Sequence, residues 1–240
     1  MNIEGKNAVQ EALRCDKTID KIYITDGTTD NEVRDLLAQA KAKAIRVEFA
    51  DKKRMDKLSE TGKHQNIIAI VSDFVYSDLK DVVNNAREKG EDILLILLDG
   101  IEDPHNLGSV IRVAECAGAT AVVIPNRRSA VVNETVVRVS VGASMYVPVC
   151  KVNNLNQAIE ELKEMGIWVY AADMDGTPMY DVNLKGDIAL VIGAEGDGVS
   201  KLTRKVCDGI ISIPMKGKIN SLNASVSAGI VTYEAIRQRG

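Results

Sequence analysis

Six short apolar runs, at 93–98, 120–124, 146–149, 167–171, 188–192 and 209–213, punctuate the C-terminal part of the chain, with helix-like stretches between them. Runs such as "ILLILL" at 93–98 are continuous rather than alternating, as expected of parallel strands covered on both faces. Helices are predicted at 106–117, 133–140, 153–165, 200–206 and 222–238. Strand and helix in alternation give an α/β fold with an open, mostly parallel sheet, whose ligand sits beyond the carboxyl ends of the strands. The loops that follow the strands are therefore where chemistry is sought.

The preceding part alternates on a smaller scale, through "KNAVQEALR", "DKIYIT", "TDNEVRDLLAQAKAK", "IRVEF", "DKKRMDKLSE" and "NIIAIVSD". Val33, Leu36, Leu37 and Ala40 keep helical spacing, whereas Ile22 and Ile24 alternate as in a strand. A small α/β unit over 1–73, a connector with one helix over 74–90 and a larger domain over 91–240 are expected, a division that suits 240 residues.

No apolar run approaches the roughly 18 residues of a membrane span. "MNIEGKNAVQEALR" is polar and unlike a secretory signal, so a cytoplasmic protein is expected. Cys15, Cys116, Cys150 and Cys207 form no C-x-x-C pair, and His64 and His105 are the only histidines. No metal site is expected, and the cysteines read as reduced, packed thiols. A net charge of −4 does not advertise a nucleic-acid partner, but local clusters matter more than the total. Lys52, Lys53, Arg54, Lys57 and Lys63, Arg127 with Arg128, and Lys216 with Lys218 each read as a solvated face or as an RNA contact. With Phe 2, Tyr 6 and Trp 1, base stacking on an aromatic platform is not expected.

Three strand ends are unusual. In "LLDGIEDPHNLGSVIRVAECAG", Pro104 fixes a turn and a helix is predicted to begin near Asn106, with Leu107, Val110, Ile111 and Ala114 as its buried stripe. Arg112 falls off that stripe. Helical side chains lean toward the N-terminus, and a clear path over Gly108 would bring this guanidinium to the helix start, where free N–H groups favour an anion. The competing reading is an N-capping Asn106 and a solvated arginine.

In "LVIGAEGDGVS", Gly193, Gly196 and Gly198 follow a buried strand and let a ligand touch backbone. They do not spell G-x-G-x-x-G, and no G-x-x-x-x-G-K-[ST] loop occurs in the chain. Glu195 among them has no evident structural task, although a plain turn capped by Ser200 remains a reading. The third stretch, "ISIPMKGKINSLNASVSAGIVTYEAIRQR", joins a strand to a helix crowded with Ala224, Ser225, Ser227, Ala228 and Gly229. Such a helix presses against another backbone. Tight terminal packing accounts for the small residues but not for the asparagine-rich entry.

Together the three resemble the signature of the SpoU (TrmH-type) family of RNA ribose 2′-O-methyltransferases. "DPHNLGSVIR" resembles its first motif, "VIGAEGDGVS" its second and "ISIPMKGKINSLNASVSAGIVTYEA" its third, in order over roughly 98–239. The resemblance implies S-adenosylmethionine as cofactor and a C-terminal segment that threads a loop to make a deep trefoil knot, which pattern alone would never suggest. A threaded chain would need small residues where it passes. Cofactor contacts are implied at Gly193, Glu195, Gly196, Ile213, Met215, Ser221 and Leu222. A homodimer through the knot and C-terminal helix is implied, with Val226, Ile230 and Tyr233 as contacts.

"IEGKNAVQEAL" and "GKHQNIIAIV" are similar to the L30e-like RNA-binding domain of the ribosomal-RNA subgroup, with Asn66 where a Gly commonly follows the His-Gln pair. The implied substrate is a guanosine ribose of 23S ribosomal RNA. Transfer RNA as substrate and a non-catalytic role in ribosome assembly are the alternatives, and the missing phosphate loops disfavour a small-ligand α/β enzyme. The implied catalytic set is Asn106, Arg112, Glu195 and Asn223. The family assigns activation of the hydroxyl to Arg112, but a guanidinium is almost never deprotonated. Arg112 is therefore read as a cation that grips phosphate and stabilises the developing 2′-oxyanion, with the other three positioning the ribose and Glu195 as a candidate proton acceptor.

Overall fold

The computed structural model describes residues 2–14, 18–59, 61–72, 74–218 and 221–240. Cys15 and Asp73, the expected end of the first block, lie outside them. The chain divides into Met1–Val75 and Tyr76–Gly240.

The first unit runs β1 (Asn2–Glu4), α1 (Lys6–Arg14), β2 (Thr18–Thr25), α2 (Asn31–Ala42), β3 (Val47–Ala50), α3 (Lys52–Leu58) and β4 (Ile67–Ser72). Its sheet has the order β1-β4-β2-β3, with β2 and β3 parallel and the other pairs antiparallel. The period-two signal works as expected. Ile22 and Ile24 face Val9 and Leu13 of α1 and Val33, Leu36 and Ala40 of α2, while Tyr23 faces Met55 of α3.

The "GKHQN" loop is tied down by its own side chains. The Lys6 N–H at the start of α1 donates to Gln65 Oε1 at 3.0 Å. His64 Nδ1 accepts from the Asn66 N–H at 3.1 Å, which leaves the proton on Nε2 to face Asp56 Oδ1 at 3.1 Å. Asn66 has φ +65°, the left-handed region that glycine occupies freely and asparagine tolerates best among the others. The departure from Gly is thus a conformational equivalent.

The second unit runs α4 (Leu79–Glu88), β5 (Leu94–Asp99), α5 (Pro104–Cys116), β6 (Ala121–Pro125), α6 (Glu134–Val139), β7 (Val149–Val152), α7 (Leu155–Glu164), β8 (Trp168–Pro178), β9 (Ile188–Gly193), α8 (Lys201–Val206), β10 (Gly209–Ser212) and α9 (Ala224–Arg239). All six strands are parallel, in the order β10-β8-β9-β5-β6-β7. Leu95, Leu97, Val123, Val169 and Val191 pack on one face with Val83 and Ala86 of α4 and Ile159 and Leu162 of α7. Helix α4 therefore belongs to this core, within the stretch expected to connect the two blocks. Helices α5 and α9 pack on each other and cover the other face.

Two expectations are corrected. The strand expected at 146–149 lies at Val149–Val152, because a 3₁₀ turn at Ala143–Met145 carries Met145 and Tyr146 into solvent before Pro148 starts the ladder. The strand expected to end at 171 continues to Pro178 through an irregularity opposite Ile210 and Ile211. Burial, with help from nearby carboxylates, pushes the thiols of Cys150 and Cys207 up to about 12, so both pack as neutral groups.

The end of α9 is knitted to the second unit. The Arg239 guanidinium donates to the carbonyls of Ile93 (2.9 Å) and Gly186 (2.6 Å), and Gln238 Oε1 accepts from the Leu184 N–H at 2.9 Å. Glu234 accepts from Arg237 Nε and Nη2 and from Gln238 Nε2, all at 2.8 Å. Hydrogen bonds from Arg237 draw its carboxyl down to about 2. The carboxyl is lower in the folded than in the unfolded chain, so its contribution is full above the ordinary glutamate range and is lost as pH falls toward about 2. Urea unfolding of Glu234→Gln should therefore lie below wild type at pH 7, with the gap closing on acidification through that window.

Candidate active site

A parallel sheet sends every loop that follows a strand to one edge, and three such loops meet there. At the end of β5, Asp103 caps α5 by accepting from the His105 N–H at 3.0 Å, and Pro104 occupies the first turn. The helix thus starts before Asn106, and the competing reading of Asn106 as the cap is corrected. Its side chain is free to reach outward. At the end of β9, the chain folds back on itself, the Gly198 N–H donating to the Ala194 carbonyl at 3.0 Å. At the end of the loop after β10, Asn223 caps α9, its Oδ1 accepting from the N–H groups of Ser225 (2.9 Å) and Val226 (3.2 Å).

That cap settles which way the Asn223 amide faces. With Oδ1 turned to the helix, Nδ2 is turned away from it and donates to Asn106 Oδ1 at 2.9 Å and to Glu195 Oε1. Asn106 Nδ2 donates to the same Glu195 oxygen at 2.8 Å. The three residues close a ring of hydrogen bonds, with the carboxylate as acceptor of both amides. Ser200 is also a helix cap, accepting from the Thr203 N–H at 3.2 Å, as the turn reading expects.

Beside the ring lies a cavity of about 370 Å³, within the range of small-molecule sites. Gly193, Glu195, Gly196, Ile213, Met215, Ser221 and Leu222 all lie on its wall, with Glu195 shared between cavity and ring. Ala224 and Ser227 of α9 also line it, which is where small residues on that helix are needed. Gly229 is different, because a Cβ there would meet Val113 at an ordinary 3.8 Å.

Sequence reasoning missed Ala172, Asp173 and Met174, which form the wall supplied by β8. The available signal was "ADMDG", two carboxylates and a glycine directly after an apolar strand at the same edge. Arg204 of α8 donates to Asp173 Oδ2 at 3.3 Å and to both oxygens of Asp175 at 2.6 and 2.7 Å. Its hydrogen bonds hold the Asp175 carboxyl below the usual carboxylate range.

Arg112 is not brought into the ring. It is exposed and makes no hydrogen bond or ion pair among the described residues. The path over Gly108 is also closed, since a Cβ there would lie 2.8 Å from Val139 Cβ and 3.1 Å from the Val136 carbonyl of α6. Gly108 serves helix–helix packing. The basic residues singled out, Lys52, Lys53, Arg54, Lys57 and Lys63 in the first unit and Arg127, Arg128, Lys216 and Lys218 in the second, are all exposed.

Gly193 is constrained most. A Cβ there would lie 2.1 Å from the Gly198 carbonyl carbon and 2.2 Å from the Val199 nitrogen, backbone atoms that cannot rotate aside. Gly193→Ala should cost at least the upper end of the roughly 1–3 kcal/mol of ordinary overpacking. Gly196 has open space around it and a φ of +88°, so Gly196→Ala should cost only the left-handed penalty of about 1–2 kcal/mol. Urea unfolding of the two variants checks the order.

Comparisons with known proteins bear on the family and the fold. Residues 93–233 match the SpoU rRNA Methylase family, and residues 2–77 match the family described as RNA 2′-O ribose methyltransferase substrate binding. The chain is 40% identical to YacO of Bacillus subtilis, assigned to the TrmH family of tRNA/rRNA methyltransferases, over 98% of this chain and 94% of that protein. A TrmH family relative from Staphylococcus haemolyticus is 41% identical over 99% and 95%. Among solved structures, the fold is similar to that of the SpoU methyltransferase AviRb from Streptomyces viridochromogenes in complex with AdoMet (TM-score 0.63, 24% identity, 99% of this chain and 90% of that one). It is also similar to the A. aeolicus TrmH/SpoU tRNA modifying enzyme (TM-score 0.56, 29% identity, 67% and 83%).

Proposed function

The chain belongs to the SpoU rRNA methylase family, and on that premise we propose that it transfers a methyl group from S-adenosylmethionine to a ribose 2′-hydroxyl of RNA, a guanosine of 23S ribosomal RNA in our reading. The observation that carries this is the ring of Asn106, Glu195 and Asn223 at a nucleoside-sized cavity. The cavity suits the cofactor chemically. Ile192, Ile213 and Leu222 offer apolar surface to a base, Ser221 and Ser227 offer hydroxyls, and the carboxylates of Asp173, Glu195 and Asp197 complement a cation. When bound, S-adenosylmethionine supplies an electrophilic methyl group on a sulfonium.

The protein's share is alignment and charge. Asn106 and Asn223 hold Glu195 from both sides and so fix the carboxylate that would receive the hydroxyl proton, directly or through water. Arg112, exposed and uncommitted, is free to grip the flanking phosphate and to stabilise the 2′-oxyanion as a cation. The exposed basic clusters, with the first unit as an L30e-like RNA-binding module over about 1–73, would follow the backbone of folded RNA. The dimer is proposed through α9, where Val226 and Tyr233 stand 47% and 51% exposed beside the half-buried Ile230, and the C-terminal segment is read as knotted. The site's soluble-RNA chemistry fits a cytoplasmic location, and no helix among the described residues is long and apolar enough to cross a membrane.

The test is transfer of label from S-adenosylmethionine to unmodified 23S ribosomal RNA, with transfer RNA in parallel and the labelled ribose mapped. Label on one guanosine 2′-oxygen is expected; label on transfer RNA alone would move the substrate, and binding without transfer would favour the assembly role. Arg112→Ala should lose about 10²–10³-fold in kcat, the usual loss of one oxyanion-stabilising group. Arg112→Lys should recover part of it; full recovery would exclude any need for the planar fork. Asn223→Ser keeps a capping oxygen but removes the amide donor, so it should lose transfer while the unfolding temperature changes little.

A further inference from the structure

Strand β8 leaves its ladder beside the cavity. Ile210 of β10 pairs with Ala171, yet the next residue, Ile211, pairs with Thr177, so residues 172–176 have no partner on that side. The exit is pinched at Gly176, where a Cβ would lie 2.6 Å from the Ile211 carbonyl carbon and 2.7 Å from that of Ile210. Ser212 Oγ donates to the Gly176 carbonyl at 2.9 Å and holds this base. The bulge beyond it carries Ala172, Asp173 and Met174 into the cavity wall.

What holds the bulge itself is mainly one side chain. Met174 N–H donates to Asp173 Oδ1 at 2.7 Å, and among the described residues every other side-chain hydrogen bond at Asp173 and Asp175 comes from Arg204. Arg204 does not line the cavity. Its helix follows the Glu195–Gly198 loop, and Gly198 abuts Asp173 so closely that a Cβ would sit 3.2 Å from Oδ2. The guanidinium therefore ties the β8 wall to the element that carries the β9 wall. Asp173 and Asp175 are like charges two residues apart, and one guanidinium spans them, Nη2 reaching both oxygens of Asp175 and Nη1 reaching Asp173, a bridge that a surface ion pair chosen for stability does not need.

Resting on the reading that this cavity holds S-adenosylmethionine, we propose that Arg204 is a positioning residue for the cofactor: it sets the bulge 172–176 at the distance from the Glu195–Gly198 loop that the cofactor requires. Without it the two carboxylates repel, the bulge opens, and one wall of the cavity is lost. Asn106, Glu195 and Asn223 do not depend on it, so affinity for the cofactor falls while the rate at saturation stands.

The experiment uses the full chain and titrates S-adenosylmethionine into wild type, Arg204→Met, Arg204→Lys, Asp175→Asn and the double variant by calorimetry, with transfer kinetics and the unfolding temperature without ligand alongside. Arg204→Met should raise Kd and the cofactor KM about tenfold, 1.4 kcal/mol, with kcat unchanged. Arg204→Lys should recover only part, since a point charge cannot bridge both carboxylates. The double variant should bind no worse than Arg204→Met, because both changes break one linkage. Wild-type affinity in Arg204→Met, or an unfolding temperature that falls in step with affinity, would overturn the proposal. Failure of wild type to bind S-adenosylmethionine would instead overturn the reading of the cavity.

Discussion

The backbone of Gly198 stands where any side chain at 193 would be, and the site follows from that crowding. Because the chain can fold back directly at the end of β9, Glu195 is thrown out at the tip of a short loop rather than carried along a strand. The parallel sheet then supplies the neighbours. β5 is hydrogen-bonded to β9, so the helix that starts with Pro104 has its first turn beside that loop. A carboxylate so placed has two amides within reach, and hydrogen bonding to a charged acceptor is stronger than between neutral groups.

Asn223 does two jobs with one amide. Its oxygen serves the free N–H groups of α9, and its nitrogen serves Glu195 and Asn106. Capping is usually interchangeable among Ser, Thr, Asp and Asn, but of these asparagine alone carries donors on an atom separate from the capping oxygen. The choice of residue records the site and not the helix. The helix itself is held elsewhere, at its other end, by Arg239 on the carbonyls of Ile93 and Gly186. Its entry is thereby left to be shaped by the site.

Much of this was legible. Continuous apolar runs located the strands, and the parallel sheet they imply directed attention to Asn106, Glu195 and Asn223 at one edge. The misreadings share a cause. Gly108 and Gly229 were judged by what small residues permit, and permission does not say what moves in: Val139 fills the space at one, and an ordinary contact stands at the other. The strand expected at 146–149 was displaced by a 3₁₀ turn that apolar content cannot distinguish from a strand. Asp173 escaped notice because the bulge that turns it inward is a register shift between strands distant in sequence, which no local pattern records.

The ring joins residues separated by 117 positions, from Asn106 to Asn223. A chain emerging from the ribosome therefore has its first unit, complete by Val75, well before the site can close. Contacts of such sequence separation are slow to form, since the intervening chain must be ordered first. A nascent or truncated chain that has not yet delivered residue 223 would carry a folded first unit without the ring. The layout makes near-completion of the polypeptide itself the step that closes the ring.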